Sequence, residues 1–100
     1  MIKGFLAYEL AIQLNRKIVQ IELKGSMRDQ IERASQSVVL NLAEGSAKPT
    51  KRDKIRFYAI AFGSIREIQA GFDLIQLKDA QILDLADHIA ACLYKLTYPK

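Results

Sequence analysis

Arg33, Ser37, Asn41 and Glu44 recur at spacings of four, four and three residues. At about 100° per residue this stacks them in one helical column roughly three turns long, ending at Gly45. The column runs beside an apolar stripe of Ile31, Ala34, Val38, Val39 and Leu42, not opposite it. A merely solvated face would carry interchangeable Lys, Glu and Gln. Short polar side chains edging an apolar stripe suit hydrogen bonding across a helix–helix contact, or to a ligand. A second constellation follows at Lys48-Pro-Thr-Lys51-Arg52-Asp-Lys54-Ile-Arg56, with five cations in nine residues. Its chemistry is phosphate neutralisation, which releases counterions and does not depend on base sequence. Arg52 and Arg56 share one helical face, and Ala59, Gly63 and Arg66 continue it.

Catalysis is poorly served. His88 is the single histidine, and only Asp84 and Asp87 stand near it on the chain; a metal site needs more converging ligands. Ser37 and Ser64 have no histidine base nearby, and no glycine-rich phosphate loop is present. Cys92 reads as a small apolar filler. Phe57, Tyr58 and Phe62 could stack bases, but their helical spacing favours core or interface. The expectation is a protein without catalysis, metal or cofactor.

The elements that must position these groups fit one domain. One hundred residues, half of them hydrophobic, support a single core. A lone cysteine allows no internal disulfide and no thiolate-clustered zinc site, which fits a reducing cytoplasm. The apolar run Phe5 to Leu14 is broken by Glu9 and Gln13, and it reads as neither a signal peptide nor a membrane span. Charge is lopsided. Residues 1–66 hold twelve Lys or Arg against six Asp or Glu (+6), and residues 67–100 hold three against five (−2). An anionic partner belongs on the basic part.

Period-3.6 patterning predicts four helices, at about 4–23, 26–45, 50–77 and 79–97. Gly25 is expected as a left-handed cap of the first. Ser26 and Thr50 are expected to open the second and third, each with an aspartate at the third following position. Short connections favour an all-α, antiparallel up-down-up-down bundle. The first and third helices each show two apolar stripes: Ala7, Leu10, Ala11, Leu14, Ile18 and Ile21 with Phe5, Tyr8, Ile12, Val19 and Leu23; and Phe57, Ile60, Ala61, Ser64, Ile68, Phe72 and Ile75 with Ile55, Tyr58, Phe62 and Ile65. Taking one buried stripe as enough for a bundle helix, the second stripes predict self-association.

The run Ile31-Glu-Arg-Ala-Ser-Gln-Ser-Val-Val-Leu-Asn-Leu-Ala-Glu-Gly45, followed by Phe57 and Ala61-Phe-Gly-Ser-Ile-Arg-Glu67, resembles the four-helix-bundle proteins encoded in intervening sequences of bacterial 23S rRNA genes. That family is related to the accessory protein of diversity-generating retroelements. Arg33, Ala34, Ser37, Asn41, Ala43, Glu44, Gly45, Gly63, Ser64 and Glu67 fall on its signature, with Leu42 in place of isoleucine. The first turn is shorter than the family's and lacks its proline and aromatic residues. The resemblance implies a four-helix protomer, a homopentameric ring and non-catalytic nucleic-acid binding.

If the second and third helices are antiparallel across residues 46–49, facing residue numbers sum to roughly 95–100. Arg33 then lies level with Gly63, Ser64 and Glu67, and an Arg33–Glu67 ion pair is expected to help fix the register. Ala34, Ala61, Gly63 and Ser64 are small enough for close helix approach. The functional expectation is a homo-oligomeric nucleic-acid-binding accessory protein that contacts RNA or DNA through Lys48, Lys51, Arg52, Lys54 and Arg56. The alternative is a protein-interaction scaffold for a partner such as a reverse transcriptase.

Overall fold

In the computed structural model, which describes residues 5–99, helix α1 spans Leu6–Gln20, α2 Gly25–Ser46, α3 Lys51–Leu74 and α4 Ala80–Thr97. The expected start at Gly4 lies outside the described residues. No strand occurs among them. Each helix packs its backbone closely against two others: α1 on α2, α2 on α3, α3 on α4 and α4 back on α1. That is a four-helix bundle, about 40 Å long.

The buried stripes are those that the periodicity marks. Leu14, Ile18, Ile31, Val38, Leu42, Ile65, Ile68, Phe72, Ile89 and Leu93 are almost wholly shielded from water. Burying aliphatic side chains of this size is worth about 1.5–3 kcal/mol each before entropy is counted. Two polar residues are buried among the described residues, Ser35 and Thr97. Ser35 is 1% exposed, and its Oγ accepts a 3.0 Å hydrogen bond from Asn15 Nδ2, tying α2 to α1.

The second stripes of α1 and α3 are largely consumed inside the protomer. Tyr58 and Ile65 are buried, while Phe5, Tyr8, Ile12, Ile55 and Phe62 are half-buried. A helix with two neighbours needs an apolar arc wide enough for both, so one narrow stripe was too small an allowance. Across both stripes of the two helices, Val19 from the second stripe of α1 and Ile60 from the first stripe of α3 remain exposed.

Helix ends depart from expectation where no local signal marks them. α1 stops at Gln20, and Ile21 takes up extended backbone. Ile21 and Leu23 still pack against the core, which is why the apolar period outlasts the helix. Gly25 has the expected left-handed φ of 65° but opens α2 instead of closing α1. Ser26 makes no cap, since the N-cap of α2 is Lys24 without a side-chain bond. Thr50 does cap α3, its Oγ1 accepting from Asp53 N at 3.1 Å, and Asp79 caps α4 through Ile82 N at 3.2 Å. α3 ends at Leu74, three residues early, because Gln76 adopts φ 54° and Leu77 N bonds back to Phe72 O. This is a Schellman-type closure.

Candidate nucleic-acid interface

The tightest seam of the bundle is α2 against α3. Ser37 Oγ and Ser64 Oγ lie 2.8 Å apart, and Asn41 Nδ2 donates to Ser37 O and Ser37 Oγ at 2.9 and 3.1 Å. These three signature residues form one network across the seam. Two glycines let the helices approach. A Cβ on Gly45 would stand 2.7 Å from Tyr58 Cε1, and one on Gly71 would stand 2.9 Å from Ile31 Cγ1.

Of the remaining signature residues, Ala34 is buried in the core and Ala43 is half-buried, and the others face outward. Arg33, Glu44, Gly63 and Glu67 are exposed. Glu44 Oε2 receives Lys48 Nζ at 3.5 Å within one helical turn. The expected Arg33–Glu67 ion pair is not formed; among the described residues the ion pairs are Arg28–Glu32 and Glu44–Lys48. The reason is register. Ser37 meets Ser64 (sum 101), Gly45 meets Tyr58 (103) and Ile31 meets Gly71 (102). Helical side chains lean toward their own N-terminus, so in an antiparallel pair contacting numbers sum higher than the turn centre suggests. Arg33 is thereby level with Ile68 to Ala70, beyond Glu67. Gly63 is also absent from the seam, with nothing within 4 Å of where its Cβ would be.

The turn 47–50 carries the basic segment at one end of the bundle. Its five cations divide into two groups. Lys54 Nζ donates to Ser46 O at 2.9 Å, so it caps the carbonyl end of α2. This explains a lysine in the first turn of α3, where the helix dipole alone disfavours it, because the negative end of α2 is adjacent. Lys48, besides Glu44, lies 4.9 Å from the centroid of the Phe57 ring, and Arg56 Cζ lies 5.4 Å from it. The half-buried ring thus holds two cations at the turn. Lys51, Arg52 and Arg56 are exposed and form no ion pair among the described residues. Arg52 and Arg56 begin an open stripe that continues through Ala59, Gly63 and Arg66, all exposed. Small residues between arginines leave room for a polyanion backbone to approach the helix.

Sequence reasoning missed two features. The Asn15–Ser35 bond was hidden because a serine at a core position looks like a small filler; the nearby Asn15 was its only signal. The ring cluster of Phe62, Tyr94 and Tyr98, with centroids 5.1 to 6.3 Å apart, was also missed. The i, i+4 spacing of the two tyrosines at the end of α4 was its available mark.

Among the described residues no helix is long and apolar enough to cross a membrane, and no group of three or more His, Cys, Asp or Glu is placed to hold a metal ion. No curated protein matches the sequence. The seam network of Ser37, Asn41 and Ser64 and the close glycine at position 45 give structural roles to the motif that suggested a family. The sequence model described as 23S rRNA-intervening sequence protein matches residues 4–97, nearly the whole chain, and the chain belongs to that family.

Proposed function

We propose that this chain is a non-catalytic nucleic-acid-binding accessory protein that works as a homo-oligomer. The observation that carries the reading is the group of exposed cations Lys51, Arg52 and Arg56 at one end of the bundle, free of acidic partners among the described residues. A single patch of three cations binds phosphate weakly. Repetition of the patch around an oligomer raises avidity by orders of magnitude without any new contact. The family resemblance favours a pentamer.

Self-association is supported by what the bundle leaves uncovered. Leu40 is 65% exposed beside an apolar groove between α1 and α2 lined by Ile12, Asn15, Gln36 and Val39. Ile60 is 48% exposed next to the open face at Gly63. Light scattering at micromolar concentration should return several times the chain mass of 11.3 kDa. A monodisperse monomer would remove the avidity argument. Nucleic-acid binding is tested by titrating labelled single-stranded and duplex oligonucleotides at low salt. Absence of binding to both would leave a protein-interaction scaffold, with a partner such as a reverse transcriptase, as the better reading.

A further inference from the structure

Tyr94 and Tyr98 are the most exposed aromatic residues, at 57% and 59%. They stand four residues apart, Tyr94 in the last turn of α4 and Tyr98 at its C-cap, with ring centroids 5.1 Å apart. Phe62 of α3 meets both in edge-on contacts, at 6.1 Å and 6.3 Å. The result is one continuous aromatic surface over the α3–α4 seam, held by Phe62 beneath and open to solvent at the tyrosines. A tyrosine at an ordinary exposed helix position would point into water alone.

The placement of charge around this surface says what fits it. Because α3 and α4 run antiparallel, the last turns of α4 lie against the first half of α3, toward the basic turn. On α3, Lys51 and Arg66 lie within about 40° of Phe62 around the helix, one on each side along its length. Lys95 follows Tyr94 on α4. All three cations are exposed. Two carboxylates share this face, Asp73 of α3 and Asp87 of α4, and both lie beside Arg66 at the end remote from the basic turn; Asp87 is engaged by Gln69 Nε2 at 2.8 Å, and Gln69 Oε1 in turn accepts from Arg66 at 2.9 Å. Stackable rings bordered by exposed cations match unpaired bases bordered by phosphates.

We infer that the Tyr94–Tyr98 surface, supported by Phe62, is a base-stacking platform, and that the ligand of this protein is single-stranded nucleic acid in preference to duplex. Aromatic side chains stack every base through its π face, so the platform adds affinity for unpaired strands without reading sequence. Duplex DNA or RNA keeps its bases stacked inside and gains only the cation contacts. The inference rests on the nucleic-acid-binding reading above and adds the class of strand.

The test compares wild type with Tyr94→Ala/Tyr98→Ala and with Tyr94→Phe/Tyr98→Phe. The probes are a labelled oligothymidylate of roughly 20 nucleotides and a duplex of about the same length. Both tyrosines are more than half exposed, so the variants should keep the helical circular dichroism of wild type. The alanine variant should lose about tenfold or more in single-strand affinity and change less than about twofold on duplex, where only the cations act. The phenylalanine variant should retain single-strand affinity, because the ring is what stacks. A second readout is intrinsic emission. The chain has no tryptophan and four tyrosines, so stacking on Tyr94 and Tyr98 should quench fluorescence in wild type and not in the alanine variant. Equal losses on both probes, or none, would overturn the platform while leaving nucleic-acid binding intact. A drop in oligomeric mass in the alanine variant would also overturn it, marking the surface as a contact between copies. Wild type that binds neither probe would end both readings.

Discussion

The ring of Tyr58 lies so close to Gly45 that a Cβ there would come within 2.7 Å of Cε1 and 3.0 Å of Cδ1. Phe57 Cβ closes the same space at 3.1 Å. This contact seats the last turns of α2 on the first turns of α3, and so fixes the turn that carries the cations. Phe5 packs edge-on against the Tyr58 ring, with centroids 6.0 Å apart. The glycine at the end of the signature motif is therefore a packing requirement.

Two glycine substitutions should move stability in opposite directions. Gly45→Ala forces the Tyr58 ring away, an overpacking cost of about 1–3 kcal/mol, partly offset by the roughly 1 kcal/mol that alanine gains over glycine in a helix. The net expectation is a loss of about 1 kcal/mol, or a melting temperature lower by several degrees. Gly63→Ala meets nothing within 4 Å and should stabilise the protomer by about 0.5–1 kcal/mol. Thermal melts of the two variants check both signs.

Double-mutant cycles separate the two pairs that α2 and α3 offer. Ser37→Ala leaves the Ser64 hydroxyl without its 2.8 Å partner, so the Ser37/Ser64 cycle should show a coupling of about 0.5–1.5 kcal/mol. Arg33 and Glu67 are exposed and unpaired. Their single substitutions to alanine should each fall within about 0.5 kcal/mol of wild type and add within about 0.3–0.5 kcal/mol. A strong Arg33/Glu67 coupling in denaturant melts would contradict the register described for this seam.

Alkaline stability should depend on Tyr58. Burial raises the pKa of its phenol above the ordinary tyrosine value, so the native state holds that proton to higher pH than the unfolded chain does. The associated stabilisation is complete below about pH 10 and is lost as pH climbs through the raised native value. Tyr58→Phe removes this contribution. Between about pH 9 and 11 the variant should lose less stability than wild type when both are measured by urea unfolding.

The four helices were legible because their apolar stripes, the Thr50 and Asp79 caps and the turn at Pro49 all agree. What escaped has definite causes. Ile21 and Leu23 bury their side chains in extended backbone, so periodicity overran the end of α1. Gln76 takes a conformation that usually signals itself through glycine, so α3 read three residues too long. The Ser37–Ser64 level was within a few residues of the expected register, yet that offset is enough to part Arg33 from Glu67. At the basic turn, sequence showed five cations. Geometry alone reveals that Lys54 caps α2 and Lys48 leans on Glu44 and Phe57.

The salt dependence of binding tests the central claim most directly. Wild type and the triple variant Lys51→Gln/Arg52→Gln/Arg56→Gln would be titrated against one labelled oligonucleotide across a series of salt concentrations. The logarithm of wild-type affinity should fall linearly with the logarithm of salt, with a slope near −0.7 to −0.9 for each phosphate neutralised. In the triple variant the slope should flatten by about two to three phosphates per engaged protomer, and affinity should weaken about equally for unrelated sequences. The oligomeric mass should stay unchanged. A triple variant with the affinity and salt slope of wild type would contradict the account.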